Sequence, residues 1–210
     1  MIMARRTLLA VSAGMAFALA AYAQAAPGAP EIGKPAPAFT AVNSKGEKVD
    51  LSALRGKTVV LEWTNHDCPY VRKHYKSGNM QKTQAEAAKD GVVWLSVISS
   101  APGSQGHVSP ADADALTAKR SAAPTHVLID EKGAIGRQYG ARVTPHMYVI
   151  DPKGTLVYMG GIDDKPTSNV ADIQTATNYV TQALAAVKKG ETVATPVSRP
   201  YGCSIKYEGA

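Results

Sequence analysis

From residue 58 onward, apolar and polar positions alternate in blocks that match a mixed α/β chain. Thr58-Val59-Val60-Leu61-Glu62-Trp63 is apolar and β-branched, bounded by Gly56-Lys57 and by polar residues, as a buried strand should be. Val92 to Ile98 is a second such run and Val127 to Ile129 a third. Between the first two, Pro69 to Lys89 has helical composition, and Ser77-Gly78-Asn79 predicts a kink or break within it. Ala111 to Arg120 reads as a helix started by Ser109-Pro110, and Ala134 to Tyr139 as a short one ending near Gly140. Met147–Ile150 and Thr155–Met159 alternate around Asp151-Pro152-Lys153-Gly154, a β-hairpin signal. Ala171 to Lys189 spaces Ile173, Ala176, Val180, Leu184 and Val187 by three and four, which predicts one amphipathic helix packed on the sheet. Strand, helix, strand, then helix, hairpin and helix imply an α/β fold with a mixed sheet and helices on both faces.

The first residues carry a different signal. Arg5-Arg6 precedes an apolar run from Thr7 to Ala21, followed by the Ala23-Gln24-Ala25 pattern, so residues 1–25 read as a secretory signal peptide. The run falls short of the roughly 20 residues of a spanning helix, so no membrane association is expected after cleavage. Residues 26–37 are Ala/Pro-rich and read as a tether, 38–190 as one domain, and 191–210 as a tail. The tail contains Pro196, Pro200 and Gly202 and predicts no regular element. Some 185 residues remain after cleavage, enough for one core that buries about 70% of the unfolded surface without disulfides. The formal charge of +6 becomes +4 without Arg5 and Arg6, and the remaining cations are scattered, so no nucleic-acid partner is expected.

Cysteine usage narrows the chemistry. An exported chain of this size holds only Cys68 and Cys203, and even parity in an oxidising compartment permits one bridge. Cys68 lies in WTNHDCPYVRKH (63–74), at a predicted strand-to-helix turn with Pro69 in the first helical turn. There its sulfur is expected to face the free N–H groups and positive end of the helix, with Arg72 one turn on; both favour thiolate. A bridge to Cys203 would cross 135 residues and contribute about 4–5 kcal/mol on a chain-entropy account. Two uses stand open: a staple that pins the tail, or a resolving cysteine that attacks a mixed disulfide at Cys68.

Glu31-Ile32-Gly33-Lys34-Pro35 through Phe39, with Gly46, Val49, Leu51, Leu54 and Gly56-Lys57, resembles the leading segment of redoxin (AhpC/TSA-type) domains of the thioredoxin-like superfamily. CPYVRKHY, Gly78-Asn79-Met80, Ser99-Ser100, Thr144-Pro145, Gly161-Ile162-Asp163-Asp164 and Tyr201 to Tyr207 resemble a peroxiredoxin-like group within it. The resemblance implies a thioredoxin-like mixed sheet, and a loop at Thr144-Pro145 that holds a cis proline beside the active cysteine and offers backbone groups to a disulfide partner. His146 would then stand close to Cys68. Two departures matter. Val71 occupies the place of a thioredoxin's second cysteine, and Leu61 and Asn65 stand where the peroxidase motif Pro-x-x-x-Thr-x-x-Cys has proline and threonine.

The leading expectation is a periplasmic or secreted thiol-disulfide oxidoreductase without cofactor, acting on a thiol or disulfide substrate, small or protein. Cys68 attacks, Arg72 and the helix terminus stabilise it, Thr144-Pro145 presents the partner and Cys203 resolves. One alternative is a non-catalytic module in which Cys68 with His66, His74 or His146 binds copper(I) or zinc, although the spacing matches no known finger. Another is a thiol peroxidase with an antioxidant role. Asp163-Asp164 reads as a turn or cap pair in preference to a calcium site.

Overall fold

The computed structural model describes residues 29–209, so the expected signal peptide lies outside the described residues. A small antiparallel pair opens the fold, β1 (Thr40–Val42) and β2 (Lys48–Asp50), followed by a 3-10 turn at Leu51–Leu54 that Asp50 caps. Then come β3 (Val59–Trp63), α1 (Pro69–Lys76), α2 (Asn79–Lys89), β4 (Val93–Ile98), α3 (Pro110–Lys119), β5 (His126–Ile129) and α4 (Ala134–Gln138). The two-residue strand β6 (Val143–Thr144) leads through Pro145 into β7 (His146–Ile150), β8 (Leu156–Gly160), α5 (Tyr179–Lys189) and a last short strand β9 (Cys203–Ser204).

The central sheet has the order β5-β4-β3-β7-β8, parallel across β3, β4 and β5 and antiparallel from β3 to β7 to β8. Every residue of β3 and β4 is buried, as strands covered on both faces must be, whereas β8 alternates buried and half-buried positions at the edge. Alternation along the strands sorts the core into two layers. Val60, Trp94, Met147 and Val149 meet Val71, Tyr75, Met80, Val180 and Ala183 from α1, α2 and α5, and Cys68 belongs to this layer. On the other face Trp63 and Tyr148 pack edge-on at 5.2 Å, and Tyr139 lies 5.6 Å from Trp63, beside Ile135 of α4 and Phe39 of the leading segment.

Glu62 faces the Cys68 layer and is fully buried. It receives Tyr75 Oη at 2.9 Å, Trp94 Nε1 at 2.8 Å, Ser96 Oγ at 3.0 Å and Gln84 Nε2 at 3.2 Å. Four donors from three neighbouring elements offset the desolvation of this carboxylate and lock α1 and α2 onto the sheet.

The expected break at 77–79 is present: Gly78, at φ +74, separates α1 from α2. Ala171–Lys189 is not one helix. A 3-10 segment at Val170–Thr175 ends before α5 because Asn178 caps a fresh start, its side chain accepting from Thr181 N, while Thr177 N donates to Asp164 instead of a helix turn. Residues 33–36, expected in the tether, are part of the domain: Gly33 N and Ala36 N donate to Leu156 O and Gly154 O, and Leu156 N donates to Lys34 O. The tail is likewise built in. Met159 N donates to Pro196 O, Ser198 N to Met159 O, Ile205 N to Arg142 O and Ala101 N to Lys206 O, so the last segment wraps over the β8 edge and back beneath the β6 loop.

Candidate active site

The loop after β3 positions Cys68. Asn65 Oδ1 accepts from Asp67 N at 2.9 Å and Asn65 O accepts from Cys68 N at 3.1 Å, a tight turn that delivers Cys68 to the N-cap of α1. Pro69 takes the first helical position, and Cys68 O accepts from Arg72 N at 2.9 Å. The sulfur itself, fully buried, does not cap the helix as expected: it donates to Thr144 O at 3.1 Å. A thiol is a weak acceptor but can donate, so a backbone carbonyl is its better partner than the helix N–H groups. Arg72, expected to favour its thiolate, has an exposed side chain. The helix buries Val71, Lys73, His74 and Tyr75 and leaves Arg72 in solvent.

The Thr144-Pro145 peptide bond is cis, and Thr144 brings the two cysteines together. In the antiparallel pair of β6 with β9, Thr144 is the register partner of Cys203 and Val143 of Ser204. Cys203 is therefore laid against the same residue whose carbonyl holds Cys68. Both cysteines are free thiols here. Burial, then the hydrogen bond to the Cys68 sulfur and its charge, push the Cys203 thiol up to about 12, against the opposing pull of Lys206. Thr144 Oγ1 is buried beside them without a hydrogen-bond partner among the described residues.

The histidines of the metal reading disperse. His66 sits in the loop at 3.4 Å from Asp67. His146 pairs with Trp63 across the sheet, and its ring packs on Tyr148 at 4.7 Å, on the face opposite the Cys68 layer, because side chains alternate along β7. Burial, aided by Arg142, lowers it to about 3, so it is neutral. His74 is buried and also lowered to about 3, by desolvation and by Lys73. Among the described residues no three His, Cys, Asp or Glu side chains come together as a metal site.

Residues 32–159 match the profile of the AhpC/TSA family, more than half of the chain. The chain belongs to the AhpC/TSA family. Among solved structures, this AhpC/TSA protein is similar to a hypothetical protein from Sinorhizobium meliloti 1021, with TM-score 0.71 and 21% identity over 87% of this chain and 98% of that one. An uncharacterized conserved protein from Geobacillus kaustophilus gives TM-score 0.71 and 24% identity over 86% and 94%. A secreted Mycobacterium tuberculosis disulfide oxidoreductase homologous to E. coli DsbE gives 0.52 and 20% over 70% and 95%. These likenesses establish the thioredoxin-like fold. None of the curated proteins compared matches the chain.

Four residues quoted above as parts of family-like stretches were given no role at the site from the sequence: Lys73, Asp163, Gly202 and Tyr201. Lys73 and Asp163 form a buried pair at 3.4 Å, where Asp163 had read as a turn residue. Gly202 lies so close to Thr144 that no side chain fits between them. Tyr201 packs edge-on to Tyr70 at 5.9 Å. The apolar position of Tyr201, two residues before Cys203 and with Ile205 two beyond, is the local signal that the tail docks. Beside this cluster runs an open cleft of about 580 Å³, bordered by Tyr70, Val143, Asp164, Arg199 and Gly202.

Proposed function

We propose that the protein is an exported thiol-disulfide oxidoreductase in which Cys68 is the nucleophile and Cys203 the resolving thiol. One observation carries the reading: Cys203 is held against Thr144, the residue whose carbonyl accepts from Cys68, so the two thiols share a single backbone neighbour. Cys68 attacks a substrate disulfide and forms a mixed disulfide, with one substrate sulfur leaving as thiolate. Cys203 then attacks the Cys68 sulfur, the second substrate sulfur leaves, and the protein is left with the Cys68–Cys203 bridge while the substrate is reduced. The reverse sequence oxidises a dithiol. Thr144 and Pro145 supply the backbone edge that sets this geometry, and the exposed Arg72 is not needed for it. The oxidoreductase named among the structural relatives belongs to the same reaction class. Export rests on residues 1–25.

A peroxidase reading is less supported. Asn65, in the place of the motif threonine, has its side chain engaged with Asp67 N and with Gln105 O at 3.4 Å, and Leu61 lies in the core of β3. The test is disulfide mapping of the mature chain after exposure to oxidised glutathione, together with insulin-reduction turnover. The wild type is expected to form Cys68–Cys203, Cys203→Ser to stop at a glutathione adduct on Cys68, and Cys68→Ser to lose activity. Full activity in Cys68→Ser would end the proposal.

A further inference from the structure

The short pairing of β6 with β9 spans two residues, too little to hold a strand in place by itself. Beyond Cys203 the tail is held by Ile205 N donating to Arg142 O, and before it by a side-chain anchor two residues earlier. Tyr201 Oη accepts from Lys73 Nζ at 3.2 Å and from His74 Nε2 at 3.1 Å, and donates to Asp163 Oδ1. The tautomer is set by Asn79 Nδ2, which donates to His74 Nδ1 at 2.9 Å and leaves the proton on Nε2. Lys73 Nζ also donates to Lys165 O at 2.8 Å, stands 3.4 Å from Asp163 Oδ2 and lies 5.1 Å from the centre of the Tyr201 ring. All four side chains are buried, so this charged pair is retained at a desolvation cost that an apolar anchor for the tail would not incur.

Lys73 and His74 stand on α1, the helix that Cys68 begins, while Asp163 follows β8. The hydroxyl of Tyr201 thus ties the tail to the element that carries the nucleophile. We propose that Tyr201, held by Lys73, His74 and Asp163, is a positioning residue for the resolving step: it keeps Cys203 in line with the Cys68 sulfur. The inference rests on the thiol-disulfide reading above. In that step Cys203 thiolate attacks the Cys68 sulfur of Cys68–S–S–R, the Cys68–Cys203 bond forms as the bond to R breaks, and the electron pair departs with RS⁻. Water takes the Cys203 proton and supplies one to RS⁻. The clamp touches none of the reacting atoms and acts through the effective concentration of Cys203.

The experiment uses the mature chain with glutathione as the probe. Cys68 is converted to its glutathione adduct, and glutathione release on closure to Cys68–Cys203 is timed, alongside the equilibrium of the bridge with the glutathione couple. Tyr201→Phe keeps the ring and removes the hydroxyl, and Asp163→Asn keeps the shape and removes the charge. In each, closure rate and effective concentration are expected to fall about tenfold, equivalent to about 1.4 kcal/mol, the scale of one hydrogen bond to a charged group. A role in stability alone would lower the urea midpoint and leave closure in the folded protein unchanged. Closure within twofold of wild type in folded variants overturns the inference and leaves the oxidoreductase reading standing. A wild-type adduct that never closes overturns both. If Tyr201→Phe does not fold, Asp163→Asn decides.

Discussion

Gly202→Ala is the most direct perturbation of the contact that joins the two cysteines. Gly202 has φ +141, and a Cβ there would overlap Thr144 O and lie 2.6 Å from Thr144 C and 3.3 Å from Pro145 N. These are backbone atoms, and Thr144 is held by its pairing with Cys203 and by Cys68, so no side-chain rotation can relieve the overlap. Clearing it requires the strands to separate by about 1 Å or more, since real Cβ contacts do not fall below 3.0 Å. A disulfide demands a sulfur separation near 2.05 Å and a Cα separation of roughly 4.4–6.8 Å, and a 1 Å misplacement of reacting groups costs on the order of 100-fold in rate. Closure of the Cys68–glutathione adduct should therefore slow about 100-fold, while overpacking costs about 1–3 kcal/mol of global stability. Gly140→Ala is the matched control: φ is +60 but nothing lies within 4 Å, so about 1–2 kcal/mol of backbone strain is expected with no change in closure. Glutathione release by chromatography and urea unfolding read the two effects separately. Wild-type closure in a folded Gly202→Ala protein would show that β9 does not set the position of Cys203.

Two further predictions concern groups buried in the core. His74 and His146 are both lowered to about 3, chiefly by burial, while in the unfolded chain they titrate near 6.5. The unfolded state therefore binds protons first as pH falls, and stability is lost between about pH 6.5 and pH 3, by about 2 kcal/mol per histidine at pH 5. Urea unfolding at pH 7 and pH 5 should show this loss, with His146→Gln removing roughly half of it; a flat profile would contradict neutral burial. Glu62→Leu would orphan four buried donors and should cost at least about 3 kcal/mol, whereas Glu62→Gln keeps an acceptor and should cost less. Thermal unfolding measures both, and a Glu62→Leu protein within about 0.5 kcal/mol of wild type would refute the network's role.

Periodicity made the central sheet legible because β3 and β4 are buried on both faces and consist of unbroken apolar runs. It failed at Ala171–Lys189, where Ile173 and Ala176 keep helical spacing but Asn178 and Asp164 offer the backbone competing partners. The same limit applies to the site. Cys68 and Cys203 stood out as the two cysteines and Thr144-Pro145 through the family resemblance, and the structure brings all four together. Arg72, expected to support Cys68, is exposed, since spacing from Cys68 says nothing about which side of α1 faces inward. Its neighbour Lys73 is buried only because Asp163, ninety residues on, and Tyr201 meet it, a coincidence of three segments that no local pattern encodes. His146 was misplaced by a single step of strand alternation, which puts Met147 with Cys68 and His146 with Trp63.

In the proposed exchange, the surroundings of Cys203 bear on when it can act. Three influences hold Cys203 protonated in the reduced protein: burial first, then the hydrogen bond to the Cys68 sulfur and the charge on it. Two of the three exist only while Cys68 carries a free sulfur. In the proposed mixed disulfide the Cys68 sulfur is blocked, which removes its hydrogen bond with Cys203 and leaves burial and Lys206 as the opposed influences on Cys203. On the proposed reading, Cys203 loses its proton more readily once Cys68 is bound in a disulfide than before. A static staple would have no use for this dependence. In a resolving thiol it suppresses competition for the incoming disulfide, provided the tail stays in register against Thr144 throughout the exchange.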